Sequence, residues 1–305
     1  MTWVPLALIA SVFKSLATIS EKEILTKEST ANYIAGVSFI IAICSLPLLY
    51  FTEYTHISAH SFWLIYIFSI FSVVSALSMA FVVKHLDISE SSALFATTPI
   101  AVGIFGTIFI GEILTATQVA GIIVSSLGLF ILEFRHKNRH GVDINKKEHD
   151  DDHPIYGRKK LYTILIIGLV AFGLSSIGDR YLIFYKGVDP MLFLVIIQLC
   201  ISLNMFAYEI VKNAFMKPTE TRLKLIDPEL LLQKSFWGNV IFIISHRVTH
   251  MFAINLVAAG VLNAAKQINA VFTTILGGKL FHEEDLLRRT IACLVIISGA
   301  VLVIL

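Results

Sequence analysis

The sequence predicts an all-α membrane protein whose ten transmembrane helices form two inverted five-helix repeats. Three observations support this fold: the composition, ten apolar runs of spanning length, and a similarity between the two halves of the chain. Of the 305 residues, 56% are hydrophobic and only 15% are charged, whereas an ordinary soluble domain has about 25% charged residues. Lipid, and not water, is therefore the expected solvent for most of the chain.

Each apolar run is close to the roughly 20 residues that a helix needs to cross a hydrocarbon layer ~30 Å thick. In lipid each run must be helical, because every backbone donor and acceptor has to be satisfied within the segment. The predicted spans are Val4–Ser20, Ala31–Phe51, Phe62–Val83, Ile88–Gly111, Thr117–Phe134, Leu161–Gly178, Met191–Val211, Phe236–Leu256, Val261–Phe281 and Leu287–Leu305. The predicted organisation is a first repeat at residues 1–134, a polar cytoplasmic linker at 135–160 and a second repeat at 161–305.

Three stretches of the first half recur, in the same order, in the second half. They are ISEKEIL at 19–25 and IGDRYLI at 177–183, SFW at 61–63 and 235–237, and the ungapped pair GEILTATQVAGIIVSSLGLFIL at 111–132 and HEEDLLRRTIACLVIISGAVLV at 282–303. Because each half holds an odd number of spans, the second half must lie upside down relative to the first. This is the inverted-repeat construction of many secondary transporters.

The stretch ALFATTPIAVGIFGTIFIGEILTATQVAGIIVSSLGLFIL at 93–132, with its counterpart from Asn263 onward, resembles EamA-type carriers of the drug/metabolite transporter superfamily. These carriers are related to nucleotide-sugar and triose-phosphate translocators. The resemblance covers nearly the whole chain and implies two inverted five-helix bundles around a central cavity. It further implies that the first, third and fourth spans of each half line this cavity. His282 in place of Gly111, and Ala270 in place of Pro99, predict that the two halves are not equivalent.

Cationic side chains interrupt three of the predicted spans. A Lys or Arg that faces lipid at a helix centre costs ~2.5 to 3.5 kcal/mol, so Lys14, Arg247 and Lys266 are expected to face protein or water. Asn263, Lys266 and Gln267 follow helical spacing and predict one polar stripe along the ninth span. We expect a set of polar side chains to contact a solute: Lys266, Arg247, His246, His250, Asn263, Gln267, Lys14 and Arg180.

These residues favour a small anionic or zwitterionic solute, such as an amino acid, organic acid, nucleotide sugar or sugar phosphate. A cavity with net positive potential attracts anions and repels organic cations, and the acidic residues fall near the predicted span ends. Lys14 in the first span argues against a cationic drug exporter, because small multidrug exporters of the superfamily have a carboxylate there. Phosphate-translocating relatives tend to have adjacent Lys and Arg in the ninth span, whereas here the pair is Lys266 and Gln267.

Simpler roles remain open for several of these residues. Lys266 could be a structural cation held by helix carbonyls or an acid, and Lys14 could extend to the membrane interface. Asp179 and Arg180 fit a pair at a span end better than a substrate clamp. His246 and His250 have the spacing of a metal pair, but no third ligand is evident, so we expect no metal site there.

A secondary carrier is the favoured functional class, and no enzymatic activity and no cofactor are expected. No phosphate-binding G-x-x-x-x-G-K-[ST] loop occurs in the chain, which argues against direct ATP drive. The alternatives are a membrane enzyme that uses the His/Arg cluster of span eight on a lipid-linked substrate, and a scaffold without transport activity.

The loop charges predict the orientation. Loops after odd-numbered spans carry most of the Lys and Arg residues, so the positive-inside rule puts both termini on the non-cytoplasmic face. The family resemblance implies cytoplasmic termini, and we favour the prediction from the charges. The expected location is the cell membrane, as a multi-pass protein. The expected partners are a small solute and the lipid bilayer, nucleic acid is not expected, and homodimer formation is left open.

Overall fold

The computed structural model describes residues 2–25, 30–52, 57–85, 97–133, 158–215, 231–273 and 286–305. These residues form helices and short connections, and no strand occurs among them. The helices, in chain order, are α1 (Trp3–Leu25), α2 (Thr30–Ser45), α3 (Ala59–His85), α4 (Thr98–Ile110), α5 (Ala116–Glu133), α6 (Arg158–Arg180), α7 (Pro190–Phe215), α8 (Lys234–Leu256), α9 (Ala259–Lys266) and α10 (Leu286–Ile304). Each helix falls on one predicted span, and most of the predicted linker lies outside the described residues.

Five helical segments are long and apolar enough to cross a membrane. They are Trp3–Glu21, Tyr33–Phe51, Ala59–Met79, Lys160–Tyr185 and Pro190–Val211. Three further apolar helices are shorter, at Thr98–Ile110, Ala116–Ile131 and Thr290–Ile304. The chain is therefore an all-helical, multi-pass integral membrane protein, as the sequence predicts. The helix α8 has 23 residues but is not among the five, because polar side chains occupy its centre.

The helices pack in pairs that join the first half of the chain to the second. The main contacts are α5 with α10, α1 with α8, and α3 with α6, followed by α3 with α7, α2 with α7, α4 with α9 and α4 with α6. Exchanging the two halves converts the α1–α8 pair into the α3–α6 pair and leaves α5–α10, α2–α7 and α4–α9 unchanged. It also converts the α3–α7 and α4–α6 contacts into the less extensive α2–α8 and α1–α9 contacts. Described helices of the two halves are thus interleaved, and the largest buried side chains, such as Phe193, Leu262 and Ile254, lie between them.

Glycine allows the closest of these pairs to form. A Cβ atom added at Gly128 in α5 would lie 2.7 Å from the backbone nitrogen of Ile296 in α10. A Cβ atom at Gly299 in α10 would collide with the backbone of Ser125 in α5. Gly128 and Gly299 align in the repeat, so the same small residue brings the backbones together from both sides.

Candidate functional site

The centre of α8 carries the main group of polar side chains. Arg247 is near the middle of this 23-residue helix, about 20 Å from its start at 1.5 Å per residue. Residues 242–249 are all partly exposed, whereas Phe236 and Met251 towards the two ends are fully buried. The middle of α8 therefore borders space that packed side chains do not fill.

The ninth span is interrupted where Lys266 lies, and the continuous helix predicted over Val261–Phe281 is wrong at this point. The helix α9 ends at Lys266, Gln267 forms a turn, and residues 268–273 are helical again. At the turn the Ala270 backbone N–H donates to the Gln267 carbonyl, three residues back, at 2.9 Å. The Lys266 carbonyl thus loses its usual helical partner. The Ser11 hydroxyl lies 3.4 Å from it but donates mainly to the Ala7 carbonyl of its own helix, at 2.7 Å. Ser15 of α1 donates to the Asn269 carbonyl just beyond the turn, so α1 contacts both sides of the break.

Lys266 meets His250 of α8 at this break. Its Nζ lies 3.1 Å from His250 Nδ1. An ammonium group has donors only, so the imidazole Nδ1 accepts and the proton of neutral His250 lies on Nε2. His250 is 8% exposed, while Lys266 remains partly exposed. The cation at 266 is therefore held by a neutral side chain and is not sealed from solvent.

His246 is positioned from the other side by α1. Its Nδ1 lies 2.8 Å from the Ala10 carbonyl oxygen, so this nitrogen must carry a proton and donate it. In the neutral ring Nε2 is then an acceptor. The His246 and His250 rings are parallel, with centroids 6.0 Å apart and an angle of 7°. The two imidazoles consequently both leave Nε2 for a further hydrogen bond, as an acceptor in His246 and as a donor in His250.

The other predicted residues of the ninth span lie beside this group. The Asn263 amide nitrogen donates to Ser176 Oγ and to the Ala259 carbonyl, both at 2.9 Å. Gln267 is 6% exposed and lies at the helix break. Lys14 of α1 is exposed but is close enough to Lys266 to interact with it electrostatically. The structure thus brings Lys14 and the residues of α8 and α9 into one region.

Arg180 makes different contacts from those the sequence predicts. Its Nε donates to Glu112 Oε1 at 3.1 Å, its Nη1 donates to the Ile254 carbonyl at 2.6 Å, and its guanidinium carbon lies 3.8 Å from the centroid of the Phe184 ring. Glu112 also accepts the backbone N–H of Ala259, the first residue of α9. Arg180 thus joins α6, α8, α9 and the connection after α4, and its predicted contact with a solute stays a prediction.

Asp179 is the residue that the sequence analysis misplaced. The expected pairing of Asp179 with Arg180 at a span end is wrong, because Arg180 pairs with Glu112. A π-helical turn, Tyr181–Tyr185, continues the span beyond Gly178, so Asp179 lies inside it. The carboxylate is 7% exposed and interacts electrostatically with Arg247 and Lys266. The apolar run YLIFY after Arg180 was the signal that the span does not end at Gly178.

The polar residues around His246 and His250 are not arranged as a metal site. Within the described ranges, no group of three or more His, Cys, Asp or Glu residues is arranged to hold a metal ion. The arrangement that remains consists of cations, neutral hydrogen-bonding groups and one carboxylate. Such a set can bind a charged small molecule through ion pairs and hydrogen bonds.

Comparisons with known proteins bear on both the fold and the family. A solved structure described as "Crystal structure of protein" superimposes with a TM-score of 0.70 over 99% of this chain and 96% of that chain, at 16% identity. A likeness at this level of identity shows a shared fold. A search of curated proteins finds no match. The model of the EamA-like transporter family matches residues 1–134, which confirms the resemblance seen in the sequence for this part of the chain.

Proposed function

We propose that the protein is a secondary transporter that moves a small anionic or zwitterionic metabolite across the cell membrane by alternating access of two inverted five-helix halves. The observation that carries this proposal is the partly exposed position of Arg247 and Lys266 in the interior of the helical assembly. A cation at membrane depth is costly unless it is hydrated or paired. A transport path gives it water when empty and an anionic group when occupied.

The contacts of Lys266 support a binding role over a purely structural one. A structural cation would be expected to donate to helix carbonyls or a fixed acid, but the hydrogen bond of the amine goes to a neutral imidazole. A neutral partner supplies no counter-charge in direct contact, and the Asp179 carboxylate acts on the amine only electrostatically. Arg247 adds a second positive charge from α8, and the planar guanidinium can bind a carboxylate or phosphate through two parallel hydrogen bonds.

The helix pairing supports alternating access between two related halves. Exchange of the halves converts the α1–α8 pair into the α3–α6 pair and leaves three further cross-half pairs unchanged, as expected for two inverted repeats. The break at Gln267 adds a second argument, because transporters form substrate sites at interrupted helices, where the free backbone groups line a cavity. The two halves would move relative to each other around this break.

The test is uptake or exchange in proteoliposomes with a panel of amino acids, organic acids, nucleotide sugars and sugar phosphates. We expect at least one of them to be transported by the wild type and lost in Lys266→Gln, with equal amounts of inserted protein. Lys186→Gln is the matched control, since Lys186 is an exposed lysine at the end of the π-helical turn, outside the cluster. Product formation without translocation would support the enzyme alternative instead. Equal transport by both lysine variants would contradict the proposed site.

A further inference from the structure

The carboxylate of Asp179 is buried without the hydrogen bonds that such a group requires. The residue is 7% exposed, and its Oδ1 has no hydrogen-bond partner among the described residues. By contrast, the other buried acid of this region, Glu112, accepts from Arg180 and Ala259. A buried carboxylate is unfavourable unless it is paired and hydrogen-bonded. Asp179 therefore calls for a donor that the protein itself does not supply.

Arg247 and Lys266, the two cations that act on Asp179, do not supply this donor. Arg247 and Lys266 interact electrostatically with Asp179, but among the described residues neither of them forms an ion pair with it within 4.0 Å. The acid belongs to α6, whereas the two cations belong to α8 and α9. Charges of opposite sign from three helices thus act on the same region without direct pairing.

The molecule that completes this arrangement must carry a cationic group for Asp179 and an anionic group for Arg247 and Lys266. An ammonium group has three donors and no acceptor, so it satisfies the free oxygen of Asp179. The carboxylate of the same molecule then reaches Arg247 and Lys266, whose charges would repel a simple metal or organic cation. A solute with anionic groups alone would leave Asp179 unpaired and add a like charge beside it.

We propose that the transported solute is a zwitterion of the amino-acid type, with Asp179 binding its ammonium group and Arg247 and Lys266 binding its carboxylate. This inference rests on the proposed transport function and makes Asp179 the residue that selects a zwitterion over a plain anion.

The experiment compares matched solutes in proteoliposomes containing the full-length protein. The panel is L-alanine, L-phenylalanine and L-glutamate, each beside the oxo acid that lacks the ammonium group: pyruvate, phenylpyruvate and 2-oxoglutarate. Wild type is expected to transport at least one amino acid roughly 30-fold faster than its oxo acid, as a lost charged contact predicts. In Asp179→Asn this ratio is expected to fall to near one, and Asp179→Glu is expected to retain part of it.

Asp189→Asn is the matched control for loss of an acid. Asp189 Oδ1 caps α7 by accepting the backbone N–H groups of Met191 and Leu192, and asparagine caps helices as well as aspartate does. This variant is expected to keep the wild-type ratio. If Asp179→Asn does not fold, thermal unfolding of the wild type gives a second measurement, with stabilisation expected from the amino acid and not from its oxo acid.

The outcomes separate this inference from the proposed function. Transport of an oxo acid as fast as its amino acid, or an Asp179→Asn variant that slows both equally, would overturn the zwitterion and leave the carrier intact. Unchanged selectivity with lost dependence on a pH gradient would also overturn it, because Asp179 would then carry a proton. Absence of transport for every solute in both panels would overturn the inference and the carrier together.

Discussion

The α1–α8 pair and the α3–α6 pair occupy equivalent places in the two halves, yet they are built from different chemistry. Between α1 and α8, side chains bond to backbone carbonyls: His246 to Ala10, and the Asn239 amide nitrogen to Ala17 at 2.8 Å. Between α3 and α6 the packing is close, with Gly178 directly against the Phe68 ring. One pair thus leaves polar groups available, and the other excludes space for them.

The repeated SFW stretches show where the two pairs diverge. Counting from Ser61 and Ser235, the positions of His246, Arg247 and His250 in α8 correspond to Ser72, Val73 and Ala76 in α3. The first half therefore has small or neutral residues wherever the second half has the cluster. The comparison teaches that helix pairs in corresponding positions differ in chemistry, and that the charges of the proposed site lie mainly on α6, α8 and α9.

Replacing Arg247 with the residue that α3 has at this place gives the largest expected effect. Arg247→Val should lower transport about 100-fold, because a desolvated charged contact contributes roughly 3 kcal/mol. Stability should change little, since Arg247 is partly exposed and forms no ion pair within 4.0 Å among the described residues. Flux in proteoliposomes and thermal unfolding in detergent measure the two effects.

The control for Arg247→Val is Ile241→Val, a change of an exposed aliphatic residue on the same helix. It should leave both flux and unfolding temperature unchanged. Comparable flux in the two variants would mean that α8 is functionally no different from α3.

For Arg180, the arginine of the α3–α6 pair, the expected effect is on stability. Arg180 of α6 is held by Glu112, and the side chains of the two residues are 8% and 4% exposed. Glu112→Gln would leave Arg180 buried without a counter-charge and should lower the free energy of unfolding by about 3 kcal/mol. Glu112→Ala should cost more, because it also removes the acceptor of the Ala259 N–H. Denaturant unfolding in detergent measures both variants.

Asp189→Asn provides the reference for the Glu112 variants, since it neutralises an acid that caps a helix and holds no arginine. If Glu112→Gln and Asp189→Asn had the same free energy of unfolding, the ion pair of Arg180 with Glu112 would not stabilise the protein.

Much of the fold could be predicted because it depends on local composition. The apolar runs locate every described helix, and the glycines at 128 and 299 align because both must lie at a close helix contact. The cations at 247 and 266 could be expected in the interior because lipid would not tolerate them, and both are only partly exposed, whereas Lys14 is exposed. What could not be predicted depends on contacts between distant segments.

Asp179 and the ninth span illustrate this limit. The partner of Arg180 is Glu112, 68 residues away, and no local pattern distinguishes it from the adjacent Asp179. The break at Gln267 likewise involves a distant helix, because the Ser15 hydroxyl of α1 donates to the Asn269 carbonyl just beyond the turn. Sequence spacing gave a continuous polar stripe there, because the periodicity persists on both sides of the turn.

A pair of glycine substitutions tests the difference in packing between the two pairs. Gly178→Ala in α6 places a methyl group against the Phe68 ring and should lower the free energy of unfolding by about 1 to 2 kcal/mol. Gly238→Ala in α8 would meet only the Phe242 ring, at 3.8 Å. It should be neutral or stabilising, because alanine favours the helix. Similar unfolding temperatures for both variants would contradict the proposed contrast.

The smallest expected effect concerns a polar contact between α3 and α6. The Ser72 and Ser175 hydroxyls lie 2.6 Å apart, at the place where α8 has His246. A double-mutant cycle of Ser72→Ala and Ser175→Ala should give a coupling of about 0.6 kcal/mol, the average for such bonds between membrane helices. Each single variant should leave transport unchanged. A loss of flux in Ser72→Ala would place α3 at the transport path beside α8, and the site would then share the symmetry of the helices around it.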